Sequence, residues 1–145
     1  MRQAGLPAAR SSQLAARLRR RYWLIDYIGL NDIGWVLNKA DLVISRAGAN
    51  TVGELAALGK PAILIPIPWT SGREQEKNAR MLVEAGTAVI LPQQELSGPK
   101  LLETISSMIS NLEKFRINNR KAREKIKLDA DKRIVQEIRN VLAEK

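Results

Sequence analysis

The chain has 145 residues, of which 45% are hydrophobic and 27% charged, a balance suited to a globular domain with a sizeable core. It contains no Cys and no His, which excludes disulfides, thiolate metal sites and histidine acid–base chemistry. The net charge of +9 points to an anionic partner, and that charge sits in Arg17–Arg21 and from Lys114 onward, around a nearly balanced centre.

Met1 to Ala9 reads as an irregular start, and Ser11 or Ser12 is placed to cap a helix through Arg21, with Leu14, Ala15 and Leu18 on one face. Trp23 to Ile28 reads as a strand, and Asn31 as the cap of a helix over roughly Ile33–Ala40. Leu42 to Ser45 is a short apolar run that reads as a buried strand. It ends in the turn Ser45-Arg46-Ala47-Gly48-Ala49-Asn50, which opens into a helix near Thr51. Thr51-Val52-Gly53-Glu54 fits a capping box at the head of that helix, Gly59 ends it, and Pro61 prevents its continuation. Ala62 to Pro66 reads as a second buried strand, and Pro66 and Pro68 begin a loop through Gly72. Glu74 to Ala85 reads as a helix stopped by Gly86, Thr87 to Leu91 as a strand, and Pro99 to about Ser110 as a helix. The remainder reads as one or two basic amphipathic helices, with Ile117, Ile126, Ile134, Ile138 and Leu142 spaced as a buried stripe.

Apolar strands alternating with helices predict an α/β fold with a parallel sheet covered on both faces. No internal repeat, low-complexity tract, linker, secretory signal or bilayer-length apolar run interrupts the pattern. The absence of Cys suits a reducing cytoplasm. Ligands of such sheets bind beyond the strand C-termini. The turns Ser45–Thr51 and Pro66–Gln75 and the loop Gly29–Asp32 fall at that edge. A helix N-terminus after Gly48 offers open N–H groups to an anion, phosphate above all. On the residues alone, Glu54 either completes the capping box or serves a ligand, and Arg46 is either an anion contact or a surface ion-pair residue. Gln75 and Asn78 read as solvated helix positions. Trp23 and Trp35 are expected in the core and Trp69 in an exposed loop, and Asp41 is given no catalytic role.

The run ADLVISRAGANTVGELAALGKPAILIPIP, followed by Gln75-x-x-Asn78-Ala79 and then LVEAG, resembles the C-terminal domain of the MurG family. These are the transferases that pass N-acetylglucosamine (GlcNAc) from its UDP carrier to lipid I, giving lipid II in peptidoglycan synthesis. The resemblance runs from about Tyr27 to about Leu96 and weakens in the basic tail. It implies the C-terminal half of a GT-B fold. On that basis 1–145 is one Rossmann-like domain that binds a nucleotide sugar, with a family-like core over about 22–111 and a helical tail over about 112–145.

By the resemblance, Glu54 accepts hydrogen bonds from the ribose hydroxyls and the backbone of Leu30 reads the uracil edge. Arg46, Gly48, Ala49, Asn50 and Thr51 form the turn beside the diphosphate and ribose. Gln75, with Glu74, holds the GlcNAc hydroxyls, and Asn78 supports them. Three departures accompany it. Gly29 stands where the family usually has an aromatic residue, the loop before Gln75 is one residue longer, and nothing in Met1 to Ser12 matches the family's opening Gly-Gly-Ser phosphate loop.

The reading that follows is the donor-binding portion of an inverting glycosyltransferase, inactive alone, with UDP-GlcNAc as its donor. No cofactor, metal or catalytic residue is expected within this chain. Its partners are an N-terminal acceptor domain, in cis or in trans, and lipid I through that domain. Its place is the cytoplasmic face of the inner membrane, as a peripheral protein. Alternatives are the donor-binding subunit of a two-chain lipid-linked GlcNAc transferase, a basic nucleic-acid-binding module, or a folded remnant that binds nothing. The nucleic-acid reading rests on charge alone, since no nucleic-acid motif and little aromatic interleaving accompany the basic runs.

Overall fold

The computed structural model describes residues 22–126 and 129–143, and the chain divides into two compact units, 1–32 and 33–145. The helix expected over Ser11 to Arg21 lies outside the described residues. In the first unit Trp23 to Ile28 forms no strand, contrary to expectation. Its side chains at Trp23, Leu24 and Tyr27 are exposed, and no ladder partner lies beside it among the described residues. A β-rich sequence without a neighbouring strand has nowhere to place its backbone donors and acceptors except water.

In the second unit, β1 (Val43–Ser45), β2 (Ala62–Leu64) and β3 (Ala88–Ile90) form a parallel sheet in the order β1-β2-β3. Val43, Ala62 and Ala88 align across it, as do Ser45, Leu64 and Ile90. The pleat then sorts the side chains onto two faces. Ala62 and Leu64 meet Val52, Leu55 and Ala56 of α2 (Ala49–Leu58), and Ala79 and Leu82 of α3 (Glu74–Glu84). Leu37 of α1 (Leu30–Lys39) and Ala122 of α6 (Asn119–Glu124) close that layer. Ile63 and Ile65 face the other way, onto Met108, Leu101 and Ile105 of α4 (Gly98–Ser110) and Phe115 of α5 (Leu112–Ile117). Every residue of β2 is buried, as a central parallel strand covered on both faces must be.

Two glycines end the helices that carry this sheet. Gly59 has φ +63° and ψ +38°, and its N–H donates to Ala56 O while that of Lys60 donates to Leu55 O. These are the paired bonds of a Schellman cap. Gly86, at φ +78°, repeats the pattern, with its own N–H on Val83 O and that of Thr87 on Leu82 O. Both turns abut the junction of α5 and α6. An added Cβ would lie 2.4 Å from the Asn119 Cβ at Gly59, and 2.7 Å from the Asn118 Nδ2 at Gly86. Ser97 caps α4 by accepting from the Lys100 N–H, with Pro99 in the first turn.

The structure corrects several expectations. α1 begins at Leu30, so Asn31 lies inside it and is not its cap. Its core face is set by Ile33 and Leu37, one turn apart, and this turns Trp35 outward, 66% exposed. Trp23 is likewise outside the core. Among the described residues the tail holds three helices, α5, α6 and α7 (Ala130–Ala143), and most of its apolar stripe is exposed. Ile117, Ile134, Ile138 and Leu142 are exposed, whereas Ile126 packs against the core. Asp41 is ion-paired with Arg116 of α5 at the surface.

Candidate functional site

Three loops leave the C-terminal ends of the strands. After β1 comes exposed Arg46, then fully buried Ala47, then Gly48, which caps α2 with extended backbone (φ −65°, ψ +150°). The first bond of the helix runs from the Val52 N–H to Gly48 O at 2.9 Å. The amides of Ala49, Asn50 and Thr51 therefore precede the hydrogen-bonded turns and point out of the helix head. Ala49 and Asn50 are exposed, and no acidic residue stands in this turn to compensate the positive end of the dipole. An added Cβ at Gly48 would meet no heavy atom within 4 Å. The protein itself does not require a glycine there, and its bare backbone leaves room for a close approach from outside.

Because α2 begins at Ala49, Thr51 lies within its first turn and the expected Thr51–Glu54 capping box does not form. Glu54 is exposed and stands one helical turn beyond Asn50, on the same helix face.

After β2 the chain passes through buried Ile65 and Pro66 into an exposed bend at Pro68 and Trp69. A single 3-10 turn, Ser71–Arg73, then leads into α3. Arg73 is a non-glycine residue at φ +55°, and its guanidinium pairs with Glu76 at 3.0 Å. Such a conformation is strained and is held by its surroundings. Glu74 is exposed at the head of α3. Gln75 is half-buried, and its Oε1 accepts from the Ile67 N–H at 3.0 Å, leaving the amide nitrogen as a donor. Asn78, one turn on, donates through Nδ2 to Ala47 O at 3.2 Å. The first two turns of α3 thus hold both loops, the one after β2 through Gln75 and the one after β1 through Asn78.

After β3 come Leu91, Pro92 and a 3-10 turn, Gln93–Glu95. The Arg46 guanidinium joins all three strand ends: its Nη1 donates to Ile65 O at 3.1 Å and to the Gln93 Oε1. A cleft between the last two loops is lined by Pro66, Ile67, Arg73, Ile90, Pro92 and Gln93. Gln93 carried no motif in the sequence, and only the fold brings it to Arg46.

The structure therefore brings Arg46, Gly48, Ala49, Asn50, Thr51, Glu54, Glu74, Gln75 and Asn78 to one edge of the sheet. Leu30 lies in the other unit, as the exposed first residue of α1. Among the described residues no cluster of Asp and Glu could hold a metal ion. What the edge can do chemically is bind: open amides for an anion, a carboxylate for hydroxyl donors, and amide side chains for further hydroxyls.

A family model for the glycosyltransferase family 28 C-terminal domain matches residues 11–138. The chain is 48% identical over 87 residues to a UDP-N-acetylglucosamine–N-acetylmuramyl-(pentapeptide) pyrophosphoryl-undecaprenol N-acetylglucosamine transferase of Desulforamulus reducens, covering 60% of this chain and 23% of that protein. It is 35% identical over 111 residues to the Listeria welshimeri protein of the same name, covering 77% of this chain and 31% of the relative. The crystal structure of Acinetobacter baumannii MurG superposes on 91% of this chain and 39% of its own, with a TM-score of 0.72 and 26% identity. The chain thus spans about a quarter to a third of the length of the curated relatives it matches.

Proposed function

This chain belongs to the glycosyltransferase family 28 C-terminal domains, and on that premise we propose that it is the UDP-GlcNAc-binding portion of an inverting GlcNAc transferase acting on lipid I. Its fold is the C-terminal Rossmann-like domain of a GT-B enzyme. The diphosphate of the donor lies against the open amides of Ala49, Asn50 and Thr51. There the helix dipole and the charge of Arg46 oppose the negative charge that grows on the departing UDP. The Glu54 carboxylate takes the hydrogens of both ribose hydroxyls. Glu74, Gln75 and Asn78 serve the sugar, and the backbone of Leu30 serves the uracil edge. The general base and the lipid acceptor belong to an N-terminal half, in cis or in trans, which also brings the enzyme to the cytoplasmic face of the membrane. Among the described residues no helix is long and apolar enough to cross a membrane.

The observation that carries this reading is the head of α2: bare backbone at Gly48, three outward amides, and an exposed carboxylate one turn along that the capping box does not use. Calorimetric titration of the chain with UDP-GlcNAc, UDP and ADP tests it. Uridine-selective heat, with binding markedly weakened by Glu54→Ala, is the expected result. A folded chain that gives no heat with any of the three nucleotides overturns it.

A further inference from the structure

Among the described residues the Arg46 guanidinium has two acceptors, both on Nη1, the backbone oxygen of Ile65 and the side-chain oxygen of Gln93. Both acceptors are neutral. A carboxylate in the place of Gln93 would hold the same nitrogen with a stronger, charge-assisted bond, but it would also cancel the positive charge at this edge of the sheet. A glutamine holds without neutralising. Among the described residues no carboxylate pairs with Arg46, and its Nε and Nη2 remain as further donors, at the C-terminal end of β1 two residues before Gly48. Gln93 itself is half-buried in a 3-10 turn at the end of β3, on the far side of β2. A rotatable arginine on an exposed loop would otherwise lose side-chain entropy on meeting an anion.

We infer that Gln93 is a positioning residue for the diphosphate subsite: it fixes the Arg46 guanidinium, uncompensated, so that its free edge serves the phosphate groups of the nucleotide. The assignment rests on the donor-site reading above and extends it to a residue on the third loop. Three strand ends then contribute to one anion site. β1 supplies the charge, β2 an oxygen that orients it, and β3 the neutral amide that locks it.

The effect is specific to phosphate, so comparing UDP with uridine separates it from general damage. Binding of UDP is measured by calorimetry and binding of uridine by ligand-observed NMR, for the intact chain, Gln93→Ala and Gln93→Glu, with thermal melts alongside. Gln93→Ala is expected to weaken UDP roughly tenfold and to leave uridine unchanged, the size typical of losing the orientation of one charged hydrogen bond. Gln93→Glu is expected to weaken UDP at least as much while keeping the melting temperature, because the arginine is still held but its charge is now compensated. Unchanged UDP binding in both variants overturns the inference while leaving the donor site intact. So does an equal loss of UDP and uridine. An intact chain that binds neither compound overturns the donor-site reading and this inference with it.

Discussion

Glu54 stands one turn beyond Asn50 on an exposed helix face, where a carboxylate can accept from both hydroxyls of a vicinal diol at once. A charged acceptor paired with two hydroxyls contributes about 1.5–3 kcal/mol, so Glu54→Ala is expected to weaken UDP by roughly 10- to 100-fold. The same substitution should cost 2′-deoxy-UDP less, because that ligand presents only one of the two hydroxyls and has one hydrogen bond to lose. Equal losses for UDP and 2′-deoxy-UDP in a titration of the variant would remove the ribose from the assignment. Asn78 makes a different kind of contact. Its Nδ2 donates to Ala47 O, and Ala47 is wholly buried, so this bond sets the path of the turn that carries the amides. Asn78→Asp turns the donor into an acceptor facing another acceptor. It is expected to cost about 1–3 kcal/mol of stability and to weaken UDP as well, whereas Asn78→Ser, which keeps a donor, recovers part of both. A melt and a titration on each variant decide it.

Among the elements, the helix C-termini are the most sharply specified. Gly59 sits in the left-handed region with Asn119 packed where a side chain would project. Gly59→Ala adds both the penalty of that conformation and a clash with a neighbouring backbone, and is expected to destabilise by about 2–4 kcal/mol. Gly34 gives the contrast. It lies inside α1 with nothing within 4 Å of an added Cβ, so Gly34→Ala is expected to stabilise by roughly 0.5–1 kcal/mol. Urea melts of the two variants should move in opposite directions; the same direction for both would contradict the caps described above. These stops were legible in the sequence because glycine after an apolar periodic run has a single strong use. The strands after Leu42, Pro61 and Thr87 were legible for a similar reason, being short apolar runs bounded by turn residues. The start of α2 was not. Thr51-x-x-Glu54 imitates a capping box, but the small residues Gly48 and Ala49 let the chain enter the helix earlier, and that moved Glu54 from cap to exposed face. Trp23–Ile28 has the composition of a strand without being one, because β propensity describes a fit to neighbours and no neighbouring strand is present among the described residues.

For the whole molecule, charge and site are separate features. The net charge of +9 is largely a property of the ends of the chain, whereas the candidate site uses a few oriented groups at the edge of the sheet. The candidate site residues come from the sequence through the family resemblance, with Gly48, Glu54 and Gln75 at the family's spacing, and not from local pattern alone. Gln93 is not among them, because a contact across two strands leaves no local pattern. A nucleic-acid module would show strong salt dependence from many released counterions. A nucleotide site with a single arginine and helix amides should lose only modest affinity for UDP between 50 and 200 mM salt. Binding and transfer should separate too. In the proposed reading the edge of the sheet supplies an anion site, a diol acceptor and sugar contacts, and the general base lies on the acceptor half. The chain alone is therefore expected to bind UDP-GlcNAc without transferring it to a lipid I acceptor, and activity is expected to appear only when a polypeptide carrying the acceptor half is added. Radiolabelled UDP-GlcNAc incubated with the chain and a short-chain lipid I analogue provides the measurement. Turnover by the chain alone would place the base and the acceptor site within these 145 residues, and would require a catalytic role for a carboxylate such as Glu74 at the head of α3. Turnover only on addition of the second half would make donor capture the contribution of this chain, with Arg46 and the α2 amides drawing charge from the scissile bond while the partner deprotonates the acceptor.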